Sequence, residues 1–345
     1  MNRHRAWLSG GLLAGLVLCA IWVTGGIPGT AREAAAADPV VIRAITAWPL
    51  DCNCVSQYKR YIDEVNKRGK GKVEWKLLGG PEVVKPFEQF QALRTGIADA
   101  THTAPGYFVG ETIEGGVFEL LDPTDFDKYL KALRSTEAMD VINQAFREKS
   151  GVRFVALTIG GTGFRFMMAK PINGLDDLKG KRIRAFGSQT AKVVQHFGGA
   201  PVTIPPHELY PALQRGVVDG AIRAPDDAWS FGERDVYKSM IATPVQLAPG
   251  GVFIATRVWD KLPKDVQQIL SSVAIELEPQ VLRYFRDSDT KAIENLKAKG
   301  LRVIEISPGD QKRQVEARSL YWEDVAAKSP KYGARLRAIL EPYSR

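Results

Sequence analysis

The run from Pro263 to Lys299 constrains this chain more than any other stretch, because it reads as one helix of some 35 residues. At 1.5 Å per residue such a helix reaches roughly 50 Å, longer than a domain of about 150 residues is wide. It is therefore expected to span two domains. Pro279 lies inside it, so a kink is expected there.

The first domain begins with an alternation of strand and helix. Val40 to Thr46 is a short apolar strand, broken by Trp48, Pro49 and Leu50. Val55, Tyr58, Ile62 and Val65 then recur at helical spacing, and Val73, Trp75 and Leu77 alternate as a second strand. Pro86 starts another helix, with Phe87, Phe90 and Leu93 on one face and Gly96 closing it. Strand, helix, strand, helix is the pattern of an α/β fold with a mostly parallel sheet. In such sheets ligands meet the loops beyond the carboxyl ends of the strands. Trp48, Tyr107 and Phe118 lie on three such loops and are candidates for covering the apolar face of a ligand. Core packing is the alternative for each.

After a strand at Val152 to Leu157, Gly160, Gly161 and Gly163 mark the crossing into a second half. There Arg165 follows directly, and a strand from Arg182 to Phe186 delivers Arg184 to its end, with Phe186 beside it. A guanidinium is a fixed fork of donors matched to a carboxylate. For a lone arginine a solvated surface position or a structural salt bridge is the simpler reading. Two arginines at strand ends, with Arg223 as a third after the strand Asp219 to Ile222, point instead to an organic acid. Glu208, near the start of a helix from Pro205 to Arg215, orients one of the arginines or merely favours the helix dipole. Val252 to Thr256 reads as a strand returning to the first half. The expected domains are residues 38–162 plus about 249–285, and residues 163–248 plus about 286–345.

The first 37 residues have the layout of a secretory signal: basic Arg3 and Arg5, an apolar run of 14 residues from Gly10 to Val23, and small residues Ala35 to Ala37. Export to the periplasm is expected. Without that segment, which holds Arg3, Arg5, Arg32 and Glu33, the formal net charge falls from +8 to about +6. No Arg/Lys cluster is interleaved with aromatics, so nucleic acid is not an expected partner. Cys52 and Cys54, in Asp51-Cys52-Asn53-Cys54, are the cysteines of the exported part. A bridge, two free thiols, a weak metal pair and incidental loop residues all stay open for them. No GxSxG, HExxH, P-loop or GxGxxG pattern is present, so the chain is not expected to be an enzyme, and no cofactor is expected.

Gly163-Phe164-Arg165, the run Asp177-Leu178-Lys179-Gly180-Lys181-Arg182-Ile183-Arg184, and the run from Glu208 to Gly220 carry a resemblance. With the weaker Gly96-Ile97-Ala98-Asp99, the chain resembles the periplasmic solute-binding subunits of tripartite ATP-independent (TRAP) transporters, nearest the branch that binds 2-oxo acids. The resemblance implies a two-domain periplasmic-binding-protein-like fold, with crossing strands and a long domain-spanning helix, that closes around a small organic acid. It implies that Arg184 pairs with the ligand carboxylate and that Arg165 assists, and it names the TRAP membrane subunits as partners. A homodimer stays open. Ile222 and Arg223 stand where many relatives carry an asparagine or an acid with a tryptophan, so no metal is expected. Arg223 is then free to meet a second anionic group on the ligand. The alternatives are a sensory binding protein for an organic acid and a thiol-based redox protein using Cys52 and Cys54.

Overall fold

A computed structural model describes residues 38–160 and 163–344; the expected signal segment, residues 1–37, lies outside them, as does Gly161 of the expected crossing. The chain opens with β1 (Val40–Thr46), α1 (Ser56–Arg68), β2 (Val73–Gly79), α2 (Gln89–Thr95) and β3 (Ala100–Thr103), followed by α3 (Phe126–Arg134), α4 (Ala138–Ser150) and β4 (Val152–Ile159). In α1 the residues at helical spacing, Tyr58, Tyr61, Ile62 and Val65, are the buried ones. Gly96 ends α2 by taking φ +80°, a left-handed conformation that costs glycine little.

The second half holds β5 (Gly163–Met168), β6 (Arg182–Ala185), α5 (Ser188–His196), β7 (Ala200–Thr203), α6 (Leu209–Gln214), β8 (Gly220–Arg223), α7 (Pro225–Ser230), β9 (Ser239–Ile241) and β10 (Gln246–Leu247). Then come β11 (Gly250–Ala255), α8 (Thr256–Trp259), α9 (Lys264–Ala298), β12 (Arg302–Ile304), α10 (Pro308–Ser319), α11 (Tyr321–Lys328) and α12 (Gly333–Leu340).

These strands form two sheets, each the centre of a lobe. The first has the order β2-β1-β3-β11-β4, and the second the order β12-β9-β5-β8-β6-β7, with β10 paired to β5. β1 runs parallel to β2 and β3, whereas β11 lies antiparallel between β3 and β4. The chain passes between the lobes from β4 to β5 and back from β10 to β11, so two antiparallel crossings sit side by side. Both faces of each sheet are covered by apolar residues, as expected for mostly parallel sheets flanked by helices.

The helix α9 runs unbroken from Lys264 to Ala298 through Pro279. Its first part, from Val266 to Phe285, packs with α1 on the first sheet, and Leu296 near its end is buried in the second lobe. The C-terminal segment departs from the expected division. Tyr321 and Trp322 of α11 and Leu336 and Leu340 of α12 are buried with Phe118 and Phe146 in the first lobe, although residues from about 286 onward were expected to belong to the second. The end of α9, β12 and α10 do belong to the second, through Leu296, Ile304 and Ala317. An amphipathic helix declares that it buries a face but not which sheet receives it.

Candidate functional site

A cleft lies between the lobes, lined by Trp48, Cys54, Ala104, Tyr107, Ile159, Phe164, Arg184, Phe186, Arg223, Asp226, Asp227, Ala248 and Phe285. Counted out to the open solvent at its mouth, its unfilled space is about 490 Å³. Its walls come from where parallel strands end: Trp48 follows β1, Tyr107 follows β3, Phe186 follows β6, and Asp226 and Asp227 follow β8. Trp48 and Tyr107 belong to the first lobe, with ring centroids 6.2 Å apart, while Phe164 and Phe186 face them from the second, 5.4 Å apart. Tyr107 and Phe186 meet across the cleft edge to face at 6.3 Å.

Arg184 is the unusual residue of this cleft. It is 1% exposed, its Nε donates to the Ile204 carbonyl at 3.0 Å, and its guanidinium lies 5.1 Å from the centre of the Phe186 ring. Its two terminal nitrogens donate to no acceptor among the described residues. Burial lowers its pKa, opposed in part by the nearby Tyr107 and Glu233. A guanidinium taken out of water and left without a carboxylate is costly, so the geometry favours an anion at those two nitrogens.

Arg223 lines the same cleft, but its charge is already met. Glu233 takes it bidentately, at 3.1 Å from Nε and 2.8 Å from Nη2, and Asp227 accepts from Nη1 at 3.2 Å. Burial works against the Arg223 charge, but Glu233 and Asp227 outweigh it and raise the pKa. The expectation that Arg223 is free to meet a second anionic group does not fit this arrangement, since two carboxylates already face one guanidinium. Burial also pushes the Asp227 carboxyl up to about 6, despite Arg223 beside it.

Three other expected residues stand elsewhere. Arg165 is not among the cleft residues: it donates to the Ala242 carbonyl at 2.9 Å, to the Gly163 carbonyl, and to Asp289 of α9 at 3.0 Å. Asp289, itself buried, takes the charge that was expected to assist the ligand, and Arg165 thereby ties the crossing strand β5 to α9. Phe118 is wholly buried in the first-lobe core, 5.3 Å from Phe154, because the turn Ile113–Glu119 that carries it is buried throughout. Glu208 is 61% exposed and lies 3.5 Å from His207, so its place is the helix start and not the arginines. The carboxylate that orients an arginine is Glu233, ten positions beyond Arg223, where nothing in the sequence marked it.

Cys52 and Cys54 are bridged, and both are buried. Cys54 reaches the cleft lining. Among the described residues no three His, Cys, Asp or Glu side chains gather as a metal-ligand set, and no helix is long and apolar enough to cross a membrane.

Residues 47–329 match the family described as bacterial extracellular solute-binding protein, family 7. A solute-binding protein of Albidiferax ferrireducens is 26% identical over 280 residues, covering 79% of this chain and 81% of the relative. A monocarboxylate 2-oxoacid-binding periplasmic protein of a Nostoc species is 23% identical over 273 residues, covering 77% and 73%. A TRAP periplasmic solute-binding protein from Rhodoferax ferrireducens, solved with bound malonate, superposes with a TM-score of 0.78 at 22% identity, covering 88% of this chain and 98% of that one.

Proposed function

The chain belongs to family 7 of the bacterial extracellular solute-binding proteins, and from that premise we propose that it captures a small organic acid in the periplasm and delivers it to a TRAP transporter. Its role in that reading is binding and not catalysis. The observation that carries it is Arg184, a buried guanidinium whose terminal nitrogens lack any acceptor among the described residues. A ligand carboxylate seated there gains charge-assisted hydrogen bonds, each contributing on the order of 1.5 to 3 kcal/mol net.

Arg223 does not enter as a second anion receptor in this reading, because Glu233 and Asp227 neutralise it. A free carboxylate on the ligand would face Asp227 as well. The ligand class favoured is therefore a monocarboxylate with a body thin enough to lie between Trp48 and Tyr107 on one side and Phe164 and Phe186 on the other. The two relatives just described, one binding 2-oxo monocarboxylates and one holding malonate, mark the range to be screened.

Calorimetric titration of the purified protein with 2-oxo monocarboxylates and with C3 to C4 dicarboxylates tests the reading. The expected result is binding of a monocarboxylate that Arg184→Ala weakens by about ten-fold or more. Equal affinity in the variant removes Arg184 from the site, and a consistent preference for dicarboxylates overturns the ligand class.

A further inference from the structure

The bridged Cys52–Asn53–Cys54 turn holds one side chain where it reaches the opposite lobe. Asn53 Nδ2 donates to Asp226 Oδ2 at 2.8 Å and to Ser288 Oγ at 3.1 Å, and its Oδ1 accepts from the Tyr284 hydroxyl. Asp226 is held on its other sides as well: its Oδ1 accepts from Ser288, and its backbone N–H donates to Asp289 at 3.1 Å. Asn53 stands on the loop after β1 in the first lobe, Asp226 in the first turn of α7 in the second, and Tyr284, Ser288 and Asp289 all lie on α9. Cys54 and Asp226 also line the cleft, so this network closes one of its margins.

We propose that Asn53 is an inter-lobe clasp, fixed in place by the Cys52–Cys54 bridge, that favours the closed form and slows the release of ligand. The clasp rests on the binding reading above for its purpose, although its geometry is independent of any ligand. The lobes cannot separate without breaking the Asn53–Asp226 hydrogen bond, because one partner belongs to each. A short loop beyond a strand end samples many conformations, and only a narrow set aims an asparagine amide across a cleft. The covalent bridge on either side of Asn53 removes most of that freedom before the clasp forms.

The bridge also makes the clasp addressable by thiol exchange. A thiolate of an external dithiol attacks one sulfur and forms a mixed disulfide, and its second thiol then displaces that sulfur. Cys52 and Cys54 end as two thiols, having gained two electrons and two protons, and the dithiol is oxidised to its own disulfide. With the bridge open, Asn53 is no longer held against Asp226.

Lobe closure can be followed without any ligand, by small-angle X-ray scattering and by amide hydrogen exchange across the Asn53–Val55 turn and α7. The proteins to compare are the oxidised wild type, the wild type reduced with dithiothreitol, Asn53→Asp, and the swap Asn53→Asp with Asp226→Asn. Asn53→Asp sets two carboxylates against each other. The expected result is a larger radius of gyration and about ten-fold faster exchange in Asn53→Asp and in the reduced protein, with the swap restoring both towards wild type. A residue that only supports its own loop is not rescued by a change in the other lobe. Unchanged scattering and exchange in Asn53→Asp, or no restoration by the swap, overturns the clasp; unchanged behaviour in protein whose two thiols are shown by alkylation and mass spectrometry to be free overturns the role of the bridge, which is buried and is therefore reduced to completion before the comparison. If these variants open as expected while no carboxylate binds, it is the binding reading that fails and the clasp stands.

Discussion

Two arginines on adjacent strands of one sheet, both buried at the same cleft, have opposite electrostatic situations. Arg223 has more negative charge around it than it needs, and Arg184 has no carboxylate partner among the described residues. An unpaired buried cation destabilises the empty protein, so Arg184 is held against the interest of stability. Arg184→Met keeps most of the volume and removes the charge. It is expected to raise the stability of the empty protein by about 1 to 3 kcal/mol while abolishing carboxylate binding; chemical denaturation and titration of the same preparation read both, and a less stable, still binding variant refutes the account. The sequence singled out Arg184 only through the company of Arg165 and Arg223 and through the resemblance, because an arginine alone at a strand end is more simply a surface residue; its burial at the cleft is what the structure adds. The fate of Arg223 was not legible, since its partner Glu233 arrives only after the short helix α7 and the turn at Gly232. Nor could composition separate Phe186, which faces the cleft, from Phe118, which is sealed in the core: aromatic walls and aromatic cores use the same residues.

The elements that join the lobes were legible in unequal measure. The length of α9 announced a helix longer than one lobe, and its burial pattern bears that out from Val266 to Leu296. The crossing strands were harder to read, because β10 is two residues long and carries no periodicity. Gln246 of β10 nevertheless anchors the return crossing, donating from Nε2 to Glu119 of the first lobe at 3.0 Å. Burial pushes the Glu119 carboxyl up to about 8, although the hydrogen bond from Gln246 pulls the other way. An acid whose pKa is raised on folding favours the folded state fully below its unfolded value, near 4.5, and loses that advantage as pH rises towards about 8. Asp227 and Asp289, both raised by burial to about 6, act in the same direction between about 3.8 and 6. The empty protein is therefore expected to lose stability from pH 5 to pH 8, by up to about 1.4 kcal/mol per pH unit for Glu119 alone. Glu119→Gln should flatten that slope and leave the variant more stable than wild type at pH 8. Melting curves across the range decide it, and parallel profiles for the two proteins would remove Glu119 as the cause.

At the scale of the whole molecule, what matters is how closely the lobes approach, and one backbone contact sets a limit. Gly187, where β6 turns into α5, faces Gly106 of the first lobe, and a Cβ at Gly187 would lie 2.5 Å from the Gly106 carbonyl oxygen. Its φ of −168° is extended backbone open to any residue, so it is space between the lobes and not local conformation that demands glycine here. No flexible side chain can yield at that point, because the obstacle is main chain. A methyl group there must be accommodated by moving one lobe away from the other. Neither sheet loses a hydrogen bond in that movement, and the cores on both sides stay packed, so the fold has no reason to weaken. The closed form does weaken, and with it, in the proposed binding reading, the contacts that a ligand draws from Arg184 on one lobe and from Trp48 and Tyr107 on the other. Gly187→Ala is thus expected to leave the melting temperature of the empty protein within about 2 °C of wild type, since a change under about 0.5 kcal/mol moves it no further in a chain of this size. Ligand affinity should fall by about ten-fold or more, chiefly through faster release, because an interface that closes imperfectly loses its occupant sooner. Stopped-flow dissociation alongside a thermal melt separates the two effects, and unaltered release from Gly187→Ala would mean that the lobes hold ligand without approaching as closely as they do here.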